Sequence, residues 1–358
     1  MRRALVLSDM HLGTGHRRGR VNIYDDFKED ERLAQLLEKY EGAHLVLNGD
    51  IFDLLKVPVM GQFPDEISER LAGIKLYKCL KGHPRVIEAL TRFLKNEESQ
   101  LTYLPGNHDM EMLFPGPQAL FTKFVTGQES HPRVRFISDQ ALFELDGVQF
   151  HHGHQFEAMH AFDWGQLTLR RAHKDPVLNL PWGSLFILRV LNPLIRERPW
   201  VDKVHPFWPM LAGGMIVDTR FTSRIIADTA KALVKARFNP VWWKKRPFVK
   251  LTQFLGNDIA FFEKLDRYAQ RIFKQSSHVK AVFMGHTHVP MLRTWRVAGT
   301  MRTYVNTGTW MPMVDLGLGR LGQHLEIHYG LVEWHDDGPR AALHRWHGTR
   351  PESEEVIA

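Results

Sequence analysis

The chain has 358 residues, of which 44% are hydrophobic and 24% charged, and a formal net charge of +7. This length and composition suffice for a large buried core and lie near the border between one large domain and two. The single cysteine, Cys79, excludes an intramolecular disulfide framework and a thiolate metal cage. It fits a reducing compartment, so we expect the protein in the cytoplasm.

The hydropathy pattern argues against a signal peptide and a membrane span. The first apolar run, in RRALVLSD, turns polar after a few residues, and no uninterrupted apolar run approaches the ~20 residues that a spanning helix needs. We therefore expect any membrane contact to be peripheral, at the inner face of the membrane.

Short β-rich runs that end in polar clusters recur along the chain. They cover residues 4–11, 43–53, 101–109, 148–154, 279–288 and 303–310. Between the early runs, apolar residues recur at helical spacing, as at Leu33, Leu36 and Leu37. Alternating strands and helices predict a layered α/β fold, in which chemistry gathers at the carboxyl ends of the strands.

The stretch over residues 155–280 differs in composition from the rest. It holds 21 Lys and Arg against 10 Asp and Glu, whereas the remainder holds 26 against 30. Six of the ten tryptophans also lie in it: Trp164, Trp182, Trp200, Trp208, Trp242 and Trp243. Because prolines interrupt this stretch repeatedly, we predict short helices inserted between two strands of the core.

Seven potential metal ligands stand at the ends of the predicted strands. They are Asp9, His11, Asp50, Asn107, His152, His286 and His288. Residues two apart in an extended chain point to the same side, so His286 and His288 can converge on one point. Oxygen and nitrogen ligands without thiolates suit Mn, Fe or Zn. Seven ligands are too many for one ion and suit two ions that share a bridging carboxylate.

The order of these residues resembles the calcineurin-like metallophosphoesterase superfamily. The motifs are D-x-H at 9–11, G-D-x-x-D at 49–53, G-N-H-D at 106–109, H-G-H at 152–154 and G-H-x-H at 285–288. The resemblance implies a four-layer αββα metallophosphoesterase sandwich with a helical insertion. The core would then span residues 1–154 and 279–345, the basic insertion 155–278 and a frayed acidic tail 346–358.

By this resemblance, two divalent ions, Mn with Fe or Zn as alternatives, activate a hydroxide that cleaves a phosphodiester or pyrophosphate bond. Asp9, His11, Asp50 and His288 would hold one ion, and Asp50, Asn107, His152 and His286 the other. His108 would protonate or stabilise the leaving oxygen, and Asp53 would hold the His108 ring in the useful tautomer.

Other residues of these loops have less certain roles. Arg17 and Arg18 could contact the substrate phosphate, with a solvated loop as the equal alternative. His151 and His154 flank His152 and could replace it as a ligand, and we predict that His154 contacts substrate or supports the ligands. Asp109 is predicted to be a local cap.

The insertion allows three interpretations, which imply different substrates. It could be a lid for an amphiphilic, lipid-linked substrate, with residues 182–195 as an acyl groove or membrane contact. This resembles the UDP-2,3-diacylglucosamine pyrophosphohydrolase branch, which usually has Arg in place of His108. It could bind single-stranded nucleic acid through residues 244–246, as in a nuclease, or its tryptophans could simply be core. A non-catalytic metal-binding scaffold is the alternative from another functional class.

Overall fold

The computed structural model describes residues 2–16, 21–171, 174–205, 213–237, 265–315, 322–348 and 354–357. Arg17 and Arg18 of the basic loop lie outside these residues, and so does the basic run at 244–246. Trp208, Trp242 and Trp243 of the insertion also lie outside them.

Strands and helices alternate in the first half of the described chain. The strands are β1 (Arg3–Leu7), β2 (His44–Asn48), β3 (Gln100–Leu104), β4 (Val134–Phe136), β5 (Phe143–Leu145), β6 (Val148–Phe150), β7 (Thr168–Arg171), β8 (Lys174–Leu178), β9 (Val204–His205), β10 (Ala281–Met284), β11 (Met291–Val297), β12 (Thr300–Asn306), β13 (Met313–Asp315), β14 (Gly322–His324), β15 (His328–His335), β16 (Gly338–Trp346) and β17 (Glu354–Ile357). The helices are α1 (Asp30–Lys39), α2 (Glu69–Gly82), α3 (Pro84–Lys95), α4 (Pro115–Thr126), α5 (Trp182–Phe186), α6 (Asn192–Ile195), α7 (Thr219–Arg237) and α8 (Leu265–Gln275). Short 3₁₀ turns follow three of the predicted site strands, at Leu54–Lys56, Met110–Leu113 and His154–Phe156.

Two mixed sheets form the centre of the protein. The first has the strand order β17-β16-β15-β1-β2-β3-β4, in which β1 to β4 run parallel and β15 pairs antiparallel with β1. The second has the order β11-β12-β10-β6-β5, with β10 parallel to both β6 and β12. The parallel strands of each sheet therefore bring their carboxyl ends to one edge.

The side chains of β1 and β10 show how the layers stack. Along β1, Leu5 and Leu7 pack with the helical face, whereas Ala4 and Val6 pack with residues of the second sheet. Along β10, alternate residues pack towards the first sheet and towards α8. This period of two is what a strand buried on both faces produces. The order of layers is α1 and α3, the first sheet, the second sheet and α8, which confirms the predicted four-layer sandwich.

The described part of the insertion packs on the core. It contains the hairpin β7–β8, the consecutive helical segments α5, Ile187–Leu191 and α6, and the long helix α7. Leu185 and Ile187 are buried in a cluster that also contains Leu55, Ile67 and Met110 of the core. The apolar residues of 182–195 are therefore largely interior, as the core interpretation of this segment predicts.

Two further features concern the periphery. Residues 354–357 of the acidic tail, predicted to be frayed, instead form β17, because their backbone pairs antiparallel with the edge strand β16. None of the helices in the described residues is both long enough and apolar enough to cross a membrane.

Candidate metal centre

The predicted ligands meet at the edge where the parallel strands of both sheets end. Asp9 and His11 follow β1, Asp50 follows β2 and Asn107 follows β3, all on the first sheet. The second sheet contributes the histidines that follow β6 and β10: His152, His286 and His288. Five of the seven side chains are buried, and His286 and His288 are partly buried, although all are polar. Buried polar side chains require partners, so their convergence indicates a binding site.

The backbone of this edge is strained at the ligands themselves. Asp9, His11, Asp50, His286 and His288 have φ between 51° and 68°, in the left-handed region. Residues other than glycine rarely adopt this conformation, and it costs free energy that the surrounding structure must offset. Five of the eight non-glycine residues with positive φ in the described part of the chain are thus predicted ligands, and the other three, Met60, Asp146 and Ala298, lie elsewhere.

Asp9, His11 and His288 form a first cluster in which ligand atoms lie within 4.8 Å of one another. His11 Nε2 is 3.0 Å from His288 Nε2, and His288 Nε2 is 3.5 Å from Asp9 Oδ1. Atoms that bind one ion at about 2.0–2.2 Å are separated from each other by roughly 3.0–3.5 Å. The cluster therefore has the spacing of a shared cation site.

Asp50, His152 and His286 form a second cluster of the same kind. Asp50 Oδ2 is 3.1 Å from His152 Nε2 and 3.7 Å from His11 Nε2, so one carboxylate oxygen reaches both clusters. Burial alone would raise the pKa of Asp50, but His152 and His108 hold it well below its ordinary value, so the group is charged. Asn107 Oδ1 is buried and has no hydrogen-bond partner among the described residues. An oxygen left free in this way fits a metal ligand.

Glycines beside the ligands allow the segments to approach closely. A Cβ atom on Gly106 would lie 2.2 Å from Asp50 Oδ1, and one on Gly285 would lie 2.2 Å from Asp9 Oδ2. Both distances are far below van der Waals contact, so a side chain at either position would displace a ligand. The glycines of the sequence motifs are thus part of the site geometry.

His108 and Asp53 lie at the side of the first cluster. His108 Nδ1 is 2.9 Å from Asp53 Oδ1, and the His108 backbone N–H donates to Asp50 Oδ1 at 2.8 Å. Burial by itself would lower the pKa of His108, but Asp53 and Asp50 raise it above its ordinary value. The His108 side chain is 15% exposed, and His11, Asp50 and His108 form a third group whose possible ligand atoms lie within 4.8 Å of one another. The predicted pair is thus brought together.

The three histidines at 151, 152 and 154 have different surroundings. His152 Nδ1 bonds to the Asn48 carbonyl at 2.9 Å, which leaves Nε2 for the site. His151 bonds instead to Gln149 and Gln155. His154 is 1% exposed, and its ring nitrogens have no hydrogen-bond partner among the described residues. Its ring centroid lies 5.4 Å from that of His152, and its predicted role, a substrate contact or support of the ligands, stays a prediction.

Asp109 is the local cap that its position in the motif predicts. Its carboxylate accepts hydrogen bonds from the backbone N–H groups of Gly106 at 2.6 Å and Ile51 at 2.8 Å, and from the Tyr103 hydroxyl at 2.5 Å. It therefore joins the loop that carries Asn107 to the loop that carries Asp50.

Two residues near the second cluster were missed by the sequence analysis. The Glu157 carboxylate contacts His286 Nε2, and His160 Nδ1 is 3.5 Å from Asn107 Nδ2. Burial would raise the pKa of Glu157, but His160 and His286 lower it to about 2. The only available signal was their place shortly after the H-G-H motif, which is too weak to assign a role.

The chain is similar to one family model and to several solved structures. A family model described as calcineurin-like phosphoesterase matches residues 2–290. No curated protein matches the chain. Among solved structures, a conserved uncharacterized protein from Streptococcus pneumoniae TIGR4, described as a predicted phosphoesterase, is 12% identical, with 99% of this chain and 97% of that chain covered and a TM-score of 0.31.

Two other solved structures have a similar sequence identity and TM-score. Vps29 from Entamoeba histolytica, complexed with Zn²⁺, is 10% identical, with 99% of this chain and 97% of that chain covered and a TM-score of 0.30. A cold-active protein-tyrosine phosphatase from a psychrophilic Shewanella species is 12% identical, with 100% of this chain and 81% of that chain covered and a TM-score of 0.31. Since the family model spans most of the chain, the chain belongs to the calcineurin-like phosphoesterases, a metal-dependent family of phosphoric ester hydrolases.

Proposed function

We propose that the protein hydrolyses a phosphodiester or pyrophosphate bond with two divalent ions, of which Mn is the first choice and Fe or Zn the alternatives. The observation that carries this proposal is the position of Asp50, whose Oδ2 lies 3.1 Å from His152 Nε2 and 3.7 Å from His11 Nε2. One carboxylate oxygen placed between two ligand clusters is the arrangement that a bridging ligand requires. When bound, such ions supply hydroxide near neutral pH and neutralise the charge of the phosphoryl group.

The residues around the centre divide the remaining tasks. Asp9, His11, Asp50 and His288 would hold one ion, and Asp50, Asn107, His152 and His286 the other. His108, with Asp53 on its Nδ1, would donate a proton from the other ring nitrogen to the leaving oxygen. Because Asp53 Oδ1 accepts from Nδ1, the ring is kept in the tautomer and orientation for that transfer.

Replacement of the bridging carboxylate tests the proposal. Asp50→Ala should reduce the bound metal and lower the hydrolysis of an aryl phosphodiester by at least ~100-fold. His278→Ala is the control, because His278 is an exposed histidine that pairs with Glu144 on the second sheet, away from the clusters. Full metal content and full activity in Asp50→Ala would refute the dinuclear proposal. Metal binding without turnover of any phosphodiester or pyrophosphate would favour the scaffold alternative.

For the substrate we propose an amphiphilic, lipid-linked phosphoryl compound. Leu185 and Ile187 are buried, so they do not support this proposal. The residues that support it are Ile216 and Val217, which are 85% and 87% exposed and precede the basic helix α7. Exposed aliphatic residues beside arginines suit an anionic lipid surface. Binding to anionic vesicles should weaken when Ile216 and Val217 are replaced by serine. Steep salt dependence on single-stranded nucleic acid, with no vesicle binding, would favour a nuclease instead.

A further inference from the structure

A buried chain of charges connects the insertion to the His108–Asp53 pair. Asp202 Oδ2 is 2.6 Å from Lys56 Nζ, and Lys56 Nζ is 3.1 Å from Asp53 Oδ2. The opposite oxygen of the same carboxylate, Asp53 Oδ1, is 2.9 Å from His108 Nδ1. Four ionisable side chains thus form a continuous series from the insertion to the metal centre.

The middle of this series is shielded from water. The side chains of Lys56, Asp202 and Asp53 are 7%, 6% and 2% exposed. Burial by itself would lower the pKa of Lys56, but Asp202 and Asp53 raise it above its ordinary value, so the lysine is charged. In such surroundings charges interact more strongly than at the surface, and removal of one partner is felt by the next.

Backbone contacts fix the geometry at both ends. The Leu54 N–H donates to the His108 carbonyl at 3.1 Å, and the Lys56 N–H donates to the Asp53 carbonyl at 3.1 Å. From the insertion, Asn192 Nδ2 donates to the Leu55 carbonyl at 2.9 Å. The 3₁₀ turn at Leu54–Lys56 is therefore held between the His108 loop and the insertion.

We propose that Asp202 and Lys56 are positioning residues, through which the insertion fixes the Asp53 carboxylate in the orientation that holds His108. Asp53 Oδ2 lies 3.1 Å from Lys56 Nζ and 3.4 Å from His11 Nδ1, so that the other oxygen faces His108 Nδ1. Asp202 anchors the lysine and balances its charge, so that Asp53 keeps its attraction for the ring. The expected effect on hydrolysis rests on the proposed function, whereas the contacts among the four side chains do not.

A purely structural ion pair is the competing explanation. A buried ion pair contributes little net stability compared with apolar residues of similar volume, so stability alone is a weak reason to keep one. Asp202 Oδ1 also has no hydrogen-bond partner among the described residues, which adds to the cost of burying this carboxylate. Positioning of Asp53 gives a reason for this buried ion pair that its contribution to stability does not give.

The chain offers a matched control. Lys203, the next residue after Asp202, pairs with Asp26 of the core at 2.6 Å. This second contact between insertion and core has the same length, and its side chains are 20% and 12% exposed. Among the described residues this pair makes no contact with Asp53, and the charge of Asp26 acts on Lys56 less strongly than the charges of Asp202 and Asp53 do. Asp26→Asn therefore weakens the attachment of the insertion and should disturb the series much less than Asp202→Asn.

The first test observes His108 directly and does not need activity. In protein labelled with ¹⁵N-histidine, the Nδ1–H proton of His108 is assigned by its loss in His108→Ala. Asp202→Asn should shift this resonance or broaden it through faster exchange with water, whereas Asp26→Asn should change it much less. The double variant Asp202→Asn/Lys56→Met removes both charges of the pair and should show the same effect if the single variant is unstable. An unchanged resonance in folded Asp202→Asn, or in the folded double variant, overturns the inference.

The second test uses leaving groups and a double-mutant cycle. Asp202→Asn should slow hydrolysis of phosphodiesters with poor leaving groups by ~10–100-fold and spare those with good leaving groups. Added to His108→Ala it should cause no further loss, because it acts through that ring. Additive losses, or equal losses for all leaving groups, would refute the positioning role. Absence of metal-dependent hydrolysis in the wild type would refute the proposed function, while the histidine resonance would still decide the inference.

Discussion

His11 and His288 meet nitrogen to nitrogen, with their Nε2 atoms 3.0 Å apart, although 277 positions separate them in the chain. Their ring centroids are 4.9 Å apart at an interplanar angle of 79°. Both residues have a left-handed backbone. The proposed shared cation would account for this close approach of two ring nitrogens.

Removal of His288 should therefore impair one of the two ligand clusters. His288→Ala should lower metal content and reduce metal affinity by ~10-fold or more, because Asp9 and His11 are left to hold the ion with Asp50. Elemental analysis of the purified protein and calorimetric titration with Mn²⁺ measure both quantities. His278→Ala serves as the control, and equal metal content in the two variants would contradict the shared site.

Alanine at Gly106 should weaken the site through a clash. Its Cβ would lie 2.2 Å from Asp50 Oδ1, so Asp50 must move and metal affinity should fall by ~10–100-fold. Gly73→Ala in α2 is the matched control, because no atom lies within 4 Å of its Cβ position. That control should stabilise the helix by about 0.5–1 kcal/mol. Wild-type metal affinity in Gly106→Ala would refute the steric argument.

The stability of the fold should depend on pH through His83. Its ring bonds to Asp25 at 3.0 Å and to Asp30 at 2.9 Å. Burial by itself would lower the pKa of His83, but these carboxylates raise it to about 9. The stabilisation is therefore complete below about pH 6.5, the unfolded pKa, and is lost as the pH rises through about 9; its size is on the order of 3 kcal/mol.

Urea denaturation of His83→Gln and the wild type at pH 6 and pH 10 measures this contribution. The variant should be less stable than the wild type at pH 6, and the difference should become much smaller at pH 10. His278→Gln, at an exposed position, should show no such change. A stability difference of the same size at both pH values would exclude the charged form of His83 as its cause.

Serine at Leu185 and Ile187 distinguishes a packed core from an acyl groove. Both side chains are buried with core residues, so each change should lower the free energy of unfolding by ~2–4 kcal/mol. Thermal melting measures the loss, and Ile226→Ser at a 49% exposed position of α7 is the control. If the variants melt like the wild type and only raise KM for an acylated substrate, these residues line a groove.

The sequence offers the predicted ligands because strand ends leave a clear pattern. His152, preferred to its neighbours because a glycine follows it, lies with Nε2 3.1 Å from Asp50 Oδ2. Glu157, Lys56 and Asp202 could not be found in this way. They reach the site from turns without regular spacing, and only tertiary packing brings them close. The left-handed backbone of residues such as Asp9 was also invisible, since only glycine signals that conformation in a sequence.

The fold could be predicted in its layers but not in its strand order. The alternation of strands and helices up to β3 predicts the layers, and in the first sheet β1, β2 and β3 pair parallel. The place of β15 beside β1 has no local signal, because those strands lie more than 300 positions apart and pair antiparallel. Likewise, the short tail strand β17 depends on an available edge rather than on its own composition.

The ligands of the candidate metal centre stand on both sides of the insertion in the sequence, and this has a consequence for the newly made chain. Asp9 to His152 leave the ribosome early, but His286 and His288 follow only after more than 130 further residues. Domains tend to fold from the N-terminus during synthesis. The first sheet can therefore begin to form while Asp50 still lacks His286. Neither cluster has all its predicted ligands until the insertion has been synthesised, so an ion that needs the full set can bind only after that point.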